Sequence, residues 1–334
     1  MNRPITQREN FLRAIRHEDP MWIPLNSDCQ LFAPEIIPDN LARGMLRQEA
    51  PFNGKFGGPD MFGVEWVFEE LVGGSMVVPG NPKVPDISEW RKYITIPDVD
   101  SWDWEGCAAA NQGMLNCGKY INGLILSGLF ERLISWLDFD NALFALIDED
   151  ETEYVHEIFG VLVEVYKKII FNSKKYFNID GMCLHDDWGA QKAPFFSPAM
   201  CREMIAPYMK QIVDYAHSLG VYLYHHCCGN VGLMVPIMIE CGIDQWDGQE
   251  INDKAALIKE YGDKILIGSS DTLSAIPGQR EGLPADKIPG AVDEYFKEYG
   301  WDGHTKGKLF YLMNKRPDET IIDPFTEKGL ELMK

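Results

Sequence analysis

The sequence is short of positive charge. It carries 31 Lys and Arg against 51 Asp and Glu, a formal net charge of −20 over 334 residues. Such a polyanion lacks the phosphate attraction that drives nucleic-acid and anionic-membrane binding, so neither is an expected partner. No apolar run is long enough to span a bilayer. The opening MNRPITQREN has no apolar stretch of the secretory-signal type. The eight cysteines, at 29, 107, 117, 183, 201, 227, 228 and 241, lack the regular spacing of a small disulfide scaffold. Several lie in apolar runs, so reduced thiols in a cytoplasm are expected. Low-complexity tracts and repeats of solenoid length are missing as well.

What is present is a 46% hydrophobic fraction, ample for one large core. From about residue 120, strand-like apolar runs alternate with amphipathic segments. The strand candidates are Leu124–Leu129, Gly181–Asp187, Val221–Cys228, Asp244–Gln249, Lys264–Ser269 and Lys308–Leu312, with an earlier one at Trp22–Asn26. Helix signals lie between them. Thr6 and Glu9 have capping-box spacing and predict a helix from Gln7 to about His17. Ser197-Pro198 opens a periodic run that ends at Gly220, and shorter runs end at Gly242 and Gly262. This β–α rhythm with short connections predicts a parallel sheet, and the number of units favours a (β/α)8 TIM barrel as a single domain. Residues 29–120, rich in Pro, Gly and Trp, read as a cap inserted after the first strand and folded over the barrel mouth.

A barrel places its working residues at the C-terminal ends of its strands. Those ends supply Asp28 and Cys29; His185, Asp186 and Asp187; His226 and Cys228; Trp246, Asp247, Gln249 and Glu250; Ser269, Ser270 and Asp271; Asn314 and Arg316. The stretch YLYHHCCGN, residues 222–230, is the densest in metal-binding side chains. Strand side chains alternate between faces. His226 and Cys228 therefore share one face, and His225 and Cys227 share the other. Imidazole and thiolate are typical zinc ligands, although a buried Cys is often only a small hydrophobe.

Several motifs together resemble the uroporphyrinogen decarboxylase superfamily. They are DDWGAQKAPFFSPAMCREMIAPYMKQIVDYAHSLG, HHCCGNVGLMVPIMIECGIDQWDGQE and YGDKILIGSSDT, with RENFLRAIRHEDPMWIP and PDMFGVEW nearer the start. One branch of that superfamily decarboxylates uroporphyrinogen without a cofactor and uses an arginine-rich segment to bind its acidic substrate. Here the corresponding SDCQLFAPEI has no arginine. The other branch contains zinc methyltransferases that work with corrinoid proteins, with a zinc site that resembles His-x-Cys plus a Cys near the last strand. His226 and Cys228 fit; KLFYLMNKRPDE has no Cys.

The resemblance implies a zinc held by His226, Cys228 and a third ligand, with Glu250 assigned and Asp271, Asp187 and Cys29 as other candidates. It also implies Asp186, Asp187 and Asp271 as catalytic or ligand-orienting groups, and Asn230 and Gln249 as cofactor-binding groups. A Glu-x14-Glu-x20-His spacing of a kind proposed for zinc in ether-cleaving members occurs at Glu149, Glu164 and His185. The run DETEYVHEIFGVLVEVYKK reads as one helix, however, which would separate the two carboxylates by roughly 22 Å. The expected activity is methyl transfer from a small methylated aromatic, an aryl methyl ether, to the cob(I)alamin of a partner corrinoid protein. Replacing a thiolate by a carboxylate gives a harder zinc suited to an oxygen leaving group. A cofactor-free decarboxylase and a non-catalytic corrinoid- or tetrapyrrole-binding protein remain as alternatives, and a homodimer stays open.

Overall fold

Seven parallel strands, numbered along the chain, form one curled sheet. Their order is β1 (Cys29–Phe32), β5 (Tyr120–Ile125), β6 (Gly181–His185), β7 (Tyr222–His226), β8 (Gln245–Asp247), β9 (Leu266–Ser269) and β10 (Leu309–Tyr311). The computed structural model describes residues 3–44, 55–71, 73–269, 285–300, 307–311 and 319–331. Every neighbouring pair in the sheet is parallel. Helices including Thr152–Asn172, Ala206–Ser218 and Ile288–Tyr299 separate successive strands and pack their apolar faces into one core. This is the TIM-barrel type of α/β fold. β5 and β6 are buried at every position, as a sheet covered on both faces requires. Among the described residues no pairing joins β10 back to β1.

The expected strands are found with shifted ends. β6 and β7 lie within the predicted runs Gly181–Asp187 and Val221–Cys228. β5 begins four residues before the expected Leu124–Leu129, and Leu129 already opens a helix. The first strand differs most. At Trp22–Asn26 only Leu25 makes a single bridge, and Asn26–Asp28 is a 3-10 turn. The cause is Asp28, a fully buried carboxylate. It accepts hydrogen bonds from Trp22 Nε1 (3.0 Å), the Leu25 amide (3.1 Å) and Gln7 Nε2 (2.7 Å), which curls the chain back on itself. The sheet instead takes up Cys29–Phe32, so Asp28 and Cys29 stand at the start of β1 and not at the barrel mouth.

Helix ends follow their capping residues. Thr6 Oγ1 accepts from the Glu9 amide at 3.1 Å and opens the helix Gln7–Ile15. Ser197 Oγ accepts from the Met200 amide at 3.2 Å and opens the run to Ser218. That run widens into a π-turn at Cys201–Ile205, where Pro207 removes a backbone donor.

The inserted region begins after β1 rather than at residue 29. It contains the helix Pro38–Arg43 and a small antiparallel sheet of β2 (Gly58–Pro59), β3 (Glu65–Glu69) and β4 (Gly74–Met76). It docks along the helix Leu129–Leu137, which follows β5. Arg132 of that helix is fully buried and pairs with both Asp39 and Asp60 (2.6 Å to Asp60). Asp60 also accepts from Trp66 Nε1 and from the Phe62 and Val64 amides. The first turn of Leu129–Leu137 thereby brings the inserted region to the exits of β5 and β6. No helix among the described residues is long and apolar enough to cross a membrane.

Candidate metal centre

β6 and β7 run side by side, and their last residues, His185 and His226, are register partners. Their rings stack with centroids 4.6 Å apart. His185 Nδ1 lies 2.7 Å from Glu131 Oε2. A carboxylate only accepts, so Nδ1 carries a proton, and in the neutral ring Nε2 is then bare. That Nε2 is buried and has no hydrogen-bond partner. His226 repeats the arrangement. Its Nδ1 lies 2.9 Å from Asp247 Oδ1, which also accepts from the Tyr224 hydroxyl. The Nε2 atom of His226 lies 3.3 Å from Cys228 Sγ. Asp187, just past β6, turns Oδ1 to the Cys228 amide at 2.6 Å. His185, Asp187 and His226 each offer one ligand atom, all within 4.8 Å of one another.

Two imidazoles and a carboxylate are a donor set for a transition metal such as zinc. A metal-ligating histidine usually gives its other N–H to a carboxylate or carbonyl, which fixes tautomer and ring angle. Both histidines here do so. Burial raises the Glu131 carboxyl, but Arg43, at 3.2 Å, and His185 outweigh it and hold Glu131 at about 2. Burial likewise raises Asp247, and His226 with Tyr224 brings it below the usual carboxylate range. Both anchors are therefore charged acceptors at neutral pH. The buried orphan at His185 Nε2 is the observation that fits a metal best.

The alternation expected in the HHCC stretch is present. Cys228 lies beside His226, while His225 and Cys227 are fully buried on the other side. His225 Nε2 bonds the Asp186 carbonyl at 3.1 Å, and burial pushes its pKa down to about 3. Cys227 Sγ accepts from the Trp188 amide at 3.2 Å. Gly229 of this stretch has φ +92°, and a Cβ there would lie 2.3 Å from the Gly189 backbone. Only glycine lets the two loops meet.

Other expected site residues are placed differently. Glu250 is exposed and is not one of the group of three formed by His185, Asp187 and His226. Cys228 is a neighbour of His226 but does not join that group. Asp186 is buried away from it, accepting from the Phe130 and Glu131 amides and from Trp188 Nε1. It caps the helix Leu129–Leu137 from across the sheet, and burial pushes it up to about 7. Gln249 Oε1 accepts from Gln191 Nε2 and the Gly229 amide, and the Asn230 amide bonds the Ala190 carbonyl. These contacts brace loops, and neither residue joins the group of three. Glu149 and Glu164 are exposed, Glu164 pairing with Lys167, so the long-spaced motif does not assemble. Ser270, Asp271, Asn314 and Arg316 lie outside the described residues.

Glu131, Arg43 and Lys254 had no sequence signal. Lys254 is buried, its Nζ 2.7 Å from the Gly268 carbonyl and 4.3 Å from the Trp246 ring centroid. All three act across chain distances that no local spacing reveals.

Residues 150–293 match the family model described as uroporphyrinogen decarboxylase (URO-D). The likeness to that family covers 144 of the 334 residues. The matched span includes His185, Asp187 and His226, whereas Arg43 and Glu131 precede it. A comparison with curated proteins finds no significant match. Among solved structures, a methyltransferase from Methanosarcina mazei superposes with a TM-score of 0.63 at 14% identity, covering 99% of this chain and 100% of that one. At that identity the likeness is one of fold, and it runs the whole length of the chain. A glycosylated endo-β-1,4-xylanase from Gloeophyllum trabeum matches at a TM-score of 0.43 and 10% identity, over 70% of this chain and 82% of that one.

Proposed function

We propose that the chain is a zinc-dependent methyltransferase that moves a methyl group from an aryl methyl ether to the cob(I)alamin of a partner corrinoid protein. The observation that carries this reading is the convergence of His185, Asp187 and His226 within 4.8 Å, with both histidines fixed through Nδ1 by carboxylates. The full-length fold likeness to a methyltransferase is in keeping with it. Zinc held by these residues would supply a Lewis acid for the oxygen that leaves as methyl departs.

The chain's own residues divide the remaining work. His185 and His226 present Nε2, and Asp187, whose Oδ1 takes the Cys228 amide, presents a carboxylate oxygen. Glu131 and Asp247 hold the two rings through Nδ1, so that Nε2 is the atom left to ligate when the ring is neutral. Cys228 offers a thiol beside His226 that can serve as a further donor. This set, with two imidazoles and a carboxylate, is harder than a thiolate-rich one and suits an oxygen leaving group over sulfur. In the overall reaction the methyl–oxygen bond breaks, its electron pair stays on oxygen, and the phenoxide takes a proton from solvent.

The test follows methylcobalamin absorbance with zinc-loaded protein, cob(I)alamin and a panel of methoxyarenes, methanol, methylamines and methylthiols. Methyl transfer from a methoxyarene, lost in His226→Ala, is the expected result. Failure of every donor, together with CO2 release from a carboxylated tetrapyrrole, would favour the cofactor-free decarboxylase.

A further inference from the structure

His185 does not hold its own orientation. Its Nδ1 is fixed by Glu131 Oε2 at 2.7 Å, and Glu131 Oε1 is fixed by Arg43 Nη2 at 3.2 Å. Glu131 lies in the first turn of the helix Leu129–Leu137, and Arg43 is the last residue of the helix Pro38–Arg43 in the inserted region. All three groups are nearly buried, with side-chain exposures of 7%, 11% and 10% for His185, Glu131 and Arg43. The Arg43 guanidinium also lies over the Trp66 ring, 5.0 Å from its centroid, which ties it to β3. A chain of contacts therefore runs from the small antiparallel sheet to a bare, buried Nε2 on β6.

Geometry alone fixes the direction of the effect. A carboxylate facing Nδ1 disfavours the neutral tautomer in which only Nε2 carries the proton, and a neutral ring with a bare Nε2 is the form that binds a metal. A carboxylate left unanchored in this space would be free to turn from the ring. Arg43 holds one oxygen and so aims the other.

We infer that Glu131 and Arg43 are positioning residues of the metal centre, through which docking of the inserted region sets the tautomer and angle of His185. The inference rests on the metal reading above. Neither residue belongs to the group of three that could hold the metal.

The experiment has two readouts. Zinc affinity is measured by competition with a chromophoric chelator, and the His185 tautomer is read by 15N-histidine NMR of metal-free protein. Glu131→Ala should weaken zinc binding about 10–100-fold, the range for loss of a residue that orients a ligand. It should also release His185 from the Nδ1–H tautomer. Glu131→Gln keeps a carbonyl acceptor facing Nδ1 and should recover part of both. Arg43→Met should weaken zinc binding in the wild-type background and add nothing in the Glu131→Ala background, because it acts through Glu131. Unchanged affinity and tautomer in Glu131→Ala would overturn the inference. So would a Gln variant no better than Ala, or an Arg43 effect that adds to that of Glu131→Ala. If the wild type binds no zinc, the metal reading falls, while the tautomer readout still decides whether Glu131 and Arg43 position His185.

Discussion

Replacing Arg132 by Met tests how the inserted region is held. The Arg132 guanidinium has no exposed surface, and neither do the Asp39 and Asp60 carboxylates it joins. Its guanidinium carbon lies 4.9 Å from the Phe62 ring centroid. Met keeps an unbranched stem as far as the position of Nε; what is lost is the guanidinium, the only cation joined to both acids by hydrogen bonds among the described residues. At an effective dielectric of about 20, each ion pair is worth roughly 4 kcal/mol at 4 Å. Relaxation and protonation recover part of this, and breaking a buried pair costs about 3–5 kcal/mol in practice. The penalty depends on pH. Burial already pushes Asp39 up to about 6 with Arg132 present. Without Arg132 that value rises further, so the folded chain binds more protons than the unfolded chain through the neutral range. Stability of the variant must then fall as pH rises. Urea unfolding at pH 8 and pH 5 is the assay. A loss of about 3–5 kcal/mol at pH 8 that shrinks at pH 5 is expected. A loss under about 1 kcal/mol, or one independent of pH, would refute the reasoning.

Gly128→Ala should destabilise the chain by about 1–3 kcal/mol, measured by unfolding, because the new Cβ would stand 2.4 Å from Asp186 Cβ. Cys227→Ala should lower stability by roughly 1–2 kcal/mol through lost burial and a lost acceptor for the Trp188 amide. Its zinc content should stay at the wild-type level. His217 is raised above its ordinary pKa by its hydrogen bond to Asp244. A raised imidazole stabilises the fold fully below its unfolded pKa and loses that effect as pH rises through the folded value. The stability advantage of the wild type over His217→Gln should therefore be greatest near pH 5 and absent near pH 9.

The fold was legible where punctuation and pattern agreed. β7 sits between Gly220 and Gly229 with an aromatic and β-branched run between them, and its ends came within two residues. β5 opens at Tyr120, four residues ahead of the apolar run, and takes in Asn122 and Gly123, residue types common in turns. Both are buried in the strand, where a Cβ at position 123 would press on the end of the Met182 side chain at 3.0 Å. The first strand was misplaced because the three hydrogen bonds that curl Trp22–Asn26 converge on Asp28, one of them from Gln7, and leave no trace in residue pattern. In the candidate site, strand alternation sufficed to separate His226 and Cys228 from His225 and Cys227. It could not rank the acids. Asp186 and Asp187 are adjacent, yet one caps a helix across the sheet and the other faces the histidines. Glu131 reaches His185 from 54 residues away, which only the packing of Leu129–Leu137 determines.

The central claim is that His185, Asp187 and His226 hold a metal. Zinc content per chain, measured after loading and removal of loose metal, tests it most directly when single variants are compared under one protocol. One zinc per wild-type chain is predicted, lost in His185→Ala and His226→Ala, reduced in Asp187→Ala, and retained in Glu250→Ala. No zinc in the wild type, or zinc lost in Glu250→Ala but kept in His185→Ala, would contradict the account.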